Sequence, residues 1–193
     1  MFPNGCIAAV SPHMNWIRRP ALLLCCAWLL AWAAPSRADD AAEVQRLVKS
    51  GQTVEALALL ERAIAARPRD AQLRFLKGVV LAGSGRTTEA TAVFVALNED
   101  FPELAEPYNN LAVLYAAQGE FDKARVALES AVRANPSYTT AYENLGDLYL
   151  RLAARAYTRA LTLDATNATL APKVAQVKAM VPDRPAEAAA KSP

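Results

Sequence analysis

Residues 105–136 read AEPYNNLAVLYAAQGEFDKARVALESAVRANP. Tyr108, Leu111, Ala112 and Tyr115 recur at three- and four-residue spacing, which places them on one face of a helix. Gly119 breaks that pattern and supplies the backbone freedom of a turn. A second helical face follows in Ala124, Leu128 and Ala131, and Pro136 closes the unit because proline cannot continue a helix. Gly51, Gly85 and Gly119 are spaced 34 residues apart, as are Pro68, Pro102 and Pro136, and the two series keep a constant offset of 17. Ala56, Ala90 and Ala124 keep the same period. Three series sharing one period define an internal repeat, and periods of this size belong to stacked solenoids.

With this period and these residue types, the unit resembles the tetratricopeptide repeat, a helix–turn–helix module. The unit before it carries Gly78, Leu81, Gly85, Ala90, Phe94 and Pro102 at the matching places. The first unit has a weaker opening helix (Val44, Leu47) but keeps Gly51, Ala56, Leu60, Ala63 and Pro68. Small residues at Gly78, Ala112 and Gly146 let paired helices approach, and large ones such as Leu81, Phe94, Tyr115 and Leu128 fill the space between them. The expected fold is all-α: a solenoid of three and a half to four repeats, at about 39–70, 71–104, 105–138 and 139–164. A capping helix is expected at about 168–181, and the Pro/Ala/charged stretch 182–193 reads as a disordered tail.

The fourth unit departs from the pattern. Tyr142, Leu145, Gly146 and Tyr149 open it correctly, but position 153, where a turn glycine is due, is alanine. Ala153, Tyr157 and Ala160 repeat the small–aromatic–small pattern of a second helix five residues early. Either a tight break forms near Arg151, or the two helices fuse. Between Tyr149 and Leu163 there is no Gly, Pro, Asn, Asp or Ser, and the series Tyr142, Leu145, Tyr149, Leu152, Ala156, Ala160, Leu163 stays helical across the join. That continuity favours one helix over about 139–164. Its distal half would then project with Leu152, Tyr157 and Leu161 exposed. Either the last helix, through Leu170, Val174 and Val177, or a second copy of the chain is expected to cover them, which makes these residues a candidate self-association surface.

Outside the repeats, Arg18-Arg19, the apolar run Ala21 to Ala34 and the small residues of Ser36-Arg37-Ala38 follow the order of a secretory signal peptide, with cleavage expected after Ala38. The 14-residue run is shorter than the roughly 20 residues a spanning helix needs, and Pro35 stops it. The expected location is periplasmic or otherwise exported; the alternative is an uncleaved segment anchoring the chain to the inner membrane. Met14 is an alternative start. Cys6, Cys25, Cys26, His13 and all three tryptophans fall within residues 1–38. A mature chain of 155 residues therefore has neither Cys nor His, which excludes disulfides, thiolate–imidazole zinc sites and the common Ser-His or Cys-His nucleophile pairs. No catalytic residue, metal, cofactor or small-molecule substrate is expected. Mature charge is −1 with the signs interleaved, which does not suit nucleic acid.

The resemblance implies that the first helix of each repeat lines a concave, peptide-binding face. Its positions fall on Phe75 and Val79, on Asn109, Asn110 and Val113, and on Glu143, Asn144 and Asp147. Asn110 and Asn144 are equivalent, and their amides can each donate to and accept from a ligand backbone; Asn is also simply common there in the repeat. The groove positions carry no Lys/Arg cluster of the kind some relatives use to grip a terminal carboxylate. The expected partner is a protein or peptide. Asn167-Ala-Thr169 fits a glycosylation acceptor, but a helix start follows it and capping is the preferred role. The carboxylate pairs Asp39/Asp40 and Glu99/Asp100 read as solvated surface.

Overall fold

The computed structural model describes residues 37–181, so the leader expected at 1–38 lies almost wholly outside the described residues, as does the tail at 182–193. Among the described residues the chain forms eight helices: α1 (Arg37–Lys49), α2 (Thr53–Ala66), α3 (Ala71–Gly83), α4 (Thr87–Asp100), α5 (Ala105–Ala117), α6 (Phe121–Ala134), α7 (Thr139–Leu163) and α8 (Leu170–Met180). Consecutive helices pack on one another throughout.

Two kinds of turn alternate. Within a repeat, Gly51, Gly85 and Gly119 adopt φ of 77°, 76° and 76°, a left-handed conformation that costs a residue with a Cβ about 1–2 kcal/mol. Each belongs to the same cap. The N–H of Gln52, Arg86 or Glu120 donates to the carbonyl of Leu47, Leu81 or Tyr115, closing the helix end. Between repeats, Arg67, Phe101 and Asn135 end their helices with φ of −138°, −139° and −137°.

Small residues set the packing distance within each repeat. A Cβ on Gly78 would lie 2.6 Å from the Phe94 ring, so only glycine lets α3 and α4 approach this closely. Ala56, Ala90 and Ala124 are fully buried, beside the buried Leu60, Phe94 and Leu128. One buried cluster runs through α1–α5, and a second joins α5, α6 and the first half of α7.

The fourth repeat has no internal turn. α7 is one helix of 25 residues, about 38 Å long. The turn after it is of the between-repeat kind: Asp164 ends the helix with φ −136°, 29 residues beyond Asn135 where the period is 34. The chain has thus lost the five residues of the inner turn and kept the outer one. α8 packs along α7, and Lys173 Nζ sits 5.6 Å from the centre of the Tyr157 ring. Leu152, Tyr157 and Leu161 are accordingly half-buried, not exposed, and Leu152 packs against the second buried cluster.

Candidate functional site

The first helices of successive repeats touch one another: α1 meets α3, α3 meets α5, and α5 meets α7. Among the described residues the second helices α2, α4 and α6 make no such contact. Helices that touch lie on the inside of a curved stack, so α1, α3, α5 and α7 form its concave face.

The positions expected to line that face divide into three groups. Phe75, Val79, Val113, Asn144 and Asp147 are half-buried, and Glu143 is exposed. Phe75 leans back on its own repeat, its ring 5.8 Å from that of Phe94 and tilted by 52°. Asn109 and Asn110 are buried at 1% and 2% exposure. Asn110 Nδ2 donates to the Glu106 carbonyl one turn earlier at 2.9 Å, so its donor is used inside its own helix, while its Oδ1 is buried without a hydrogen-bond partner. Asn144 Nδ2 donates to Asn109 Oδ1 at 2.7 Å and ties α7 to α5. The equivalence of Asn110 and Asn144 in the repeat therefore does not carry over to their roles. The bond to Asn144 on α7 takes Asn109 off the open surface, and Asn110 is buried as well.

Two of the carboxylates set aside as surface have structural partners. Asp40 pairs with Arg67, linking α1 to the end of α2, and Asp100 with Arg74 at 2.6 Å, linking α4 to α3. Asn167 does not cap α8 as expected: its Oδ1 accepts from the Thr169 backbone N–H at 3.1 Å in the turn before the helix, whose N-cap is Thr169 and carries no side-chain cap. Among the described residues no group of three or more His, Cys, Asp or Glu could hold a metal ion, and no helix is long and apolar enough to cross a membrane.

One depression was not anticipated. It lies between α5 and α6, has a volume of about 500 Å³, and is lined in part by Tyr108, Leu111, Tyr115, Lys123 and Val126. Lys123 Nζ stands 5.3 Å from the centre of the Tyr115 ring, and Val126 is exposed on its rim. The residues of α5 in it read as core in the repeat pattern, and only the exposed Val126 hinted at an open edge.

Two tetratricopeptide-repeat family models match this chain, at residues 37–103 and 81–146. Among curated proteins, the chain is 38% identical over 79 residues to the chloroplastic tetratricopeptide repeat domain-containing protein PYG7 of Arabidopsis thaliana, covering 38% of this chain and 26% of that protein. It is 27% identical over 89 residues to the photosystem I assembly protein Ycf3 of Prochlorococcus marinus, covering 45% and 51%. The chain thus spans about half or less of the curated relatives it matches. Among solved structures, MamA is similar at a TM-score of 0.53 and 18% identity, covering 71% of this chain and 83% of that one. Pseudomonas aeruginosa pilF is similar at 0.52 and 20%, covering 73% and 68%. Residues 37–146 carry tetratricopeptide repeats, and the chain is an all-α solenoid built on them.

Proposed function

We propose that the chain is an exported scaffold without enzymatic activity, which holds an extended segment of a protein partner on its concave face. Tetratricopeptide-repeat proteins typically mediate protein–protein interactions, and homologues of this fold are generally non-enzymatic. The observation that carries the reading is the inner row of first helices. Half-open positions recur along it with the period of the repeat at Val79 on α3, Val113 on α5 and Asp147 on α7, and Phe75 and Asn144 are half-open beside them. The α3 end is apolar, and the α7 end is acidic through Glu143 and Asp147. Neighbouring helices lie about 8–10 Å apart, so the two ends are about 20 Å apart, the reach of about six extended residues. The segment that fits has an apolar side chain at one end and a cationic one at the other.

The reading is tested by selecting peptides on the chain from a random library and titrating the winners. Val79→Glu with Val113→Glu is expected to weaken binding by at least about 30-fold, the loss of a typical interface anchor. Val126→Glu, on a second helix, is expected to leave it unchanged. Equal binding by all three would remove the groove from the account. Export is tested by N-terminal sequencing of the envelope fraction, which should begin at Asp39.

A further inference from the structure

In each of the first three repeats the second helix folds back on the first, and its key positions are closed. Ala56, Ala90 and Ala124 are buried, as are Leu60, Phe94 and Leu128. In the fourth repeat both partners of that contact exist in the sequence, but they lie in line on one helix. Tyr142 and Tyr149 are 49% and 48% exposed, whereas their equivalents Tyr108 and Tyr115 are half-buried. A Cβ on Gly146 would meet nothing within 4 Å, whereas at the equivalent Gly78 it would strike Phe94. The complementary residues Ala153, Tyr157 and Ala160 are only half-buried, although α8 packs beside them. The first half of α7 is an acceptor without its helix, and the second half is a helix without its acceptor.

We propose that a second copy of this chain supplies the missing contact: two α7 helices pair antiparallel and exchange their distal halves. The pairing rule comes from the closed repeats. Gly78 faces Phe94, which is 16 residues later, and Ala112 and Leu128 have the same spacing. With five residues deleted, the residue matching Phe94 for Gly146 is Tyr157. Tyr157 is 11 residues along the same straight helix, about 16 Å away, and cannot fold back on Gly146 without breaking it. The stretch that would have to reverse is Leu150-Arg151-Leu152, three good helix formers. Shortening a hinge in this way turns a contact within a chain into the same contact between chains.

Antiparallel pairing with Gly146 against the partner copy's Tyr157 is self-consistent. The same register sets Tyr142 against Leu161, and Tyr149 against Ala154. The two-fold axis then passes between residues 151 and 152, where the Leu152 side chains approach each other. Such an isologous contact uses each half of α7 once. On each copy α6 already flanks the first half and α8 the second, so the exchanged pair continues the alternation of helices already present in the stack. The occupant is chosen because the sequence that fits the acceptor, small–aromatic–small at the repeat spacing, is on the chain itself.

The experiment measures molar mass by light scattering on the protein as the cell processes it. Twice the mass of one chain is expected. In Gly146→Leu the new side chain has open space in its own chain but blocks the partner copy's Tyr157, weakening association by at least about 30-fold. Replacing residues 150–152 with the eight residues standing at 116–123 restores the turn and should give a single-chain species of unchanged helix content. Should either variant fold poorly, a disulfide assay stands in, with Cys6, Cys25 and Cys26 replaced by Ser. Chains bearing Gly146→Cys are mixed with chains bearing Tyr157→Cys, and the mixture should cross-link where neither does alone. Each chain carries one cysteine, so any bond joins two copies, and it forms only where their Cα atoms come within about 7 Å. A single-chain mass for the native protein overturns the proposal and assigns the open face to another protein or to residues 182–193. A dimer that survives turn restoration, or a mixture that fails to cross-link, overturns it too. Val79→Glu with Val113→Glu should leave the mass unchanged, so failure of the groove and failure of the exchange are read separately.

Discussion

Gly78 and Gly146 occupy the same place in their repeats and are under opposite constraints. At Gly78 an added methyl meets the Phe94 ring, which is fully buried and has nowhere to move. Gly78→Ala is expected to cost about 1–3 kcal/mol in urea unfolding. Gly146→Ala meets nothing in its own chain. Measured dilute enough to separate copies, it should leave stability level or raise it by up to about 1 kcal/mol through the gain in helix propensity. Equal losses at both positions would contradict the packing described. Tyr138 provides a pH dependence. Burial, with a smaller contribution from the charge of Glu106, raises its phenol above the ordinary value of 10.0. A phenol that holds its proton more tightly when folded contributes stability that is complete below about pH 10 and is lost as pH rises through the raised value. Wild type should therefore lose stability above pH 10 that Tyr138→Phe retains. Parallel alkaline profiles would show that the phenol is not held this way.

At the scale of elements, what could be read in the sequence followed the strength of the local signal. The turn glycines Gly51, Gly85 and Gly119 were plain because a left-handed residue needs glycine, and helices α1 to α6 follow from them. The fusion of α7 was readable from an absence: no breaker stands between Tyr149 and Leu163, and the apolar spacing never slips. The docking of α8 was one of two ways to cover Tyr157, and the packing of α7 with α8 does so only in part, leaving Tyr157 half-buried. The groove was less legible. Projecting repeat positions named residues of the inner helices, of which Phe75, Val79, Val113, Asn144 and Asp147 are partly open. It also named Asn109 and Asn110, which are buried, and Asn109 is closed off by the approach of the next first helix. The hydrogen bond from Asn144 to Asn109 is a contact between repeats that no single unit encodes.

At the scale of the molecule, a regular array has been given an irregular end. Three closed repeats supply a concave face, and the fourth, with its inner turn deleted, converts a hairpin into a rod. The rod leaves two complementary surfaces that one chain cannot join, which makes the state of α7 the point on which the account turns. It is tested by measuring distances between spin labels at Thr140→Cys and Thr162→Cys, with Cys6, Cys25 and Cys26 replaced by Ser. A continuous helix sets their Cα atoms about 33 Å apart, and that distance should persist when labelled chains are diluted with unlabelled ones. Exchange between copies adds a distance of about 10–15 Å, which should vanish on dilution. A short distance that survives dilution would mean that α7 folds back on itself, and would contradict both the rod and the exchange.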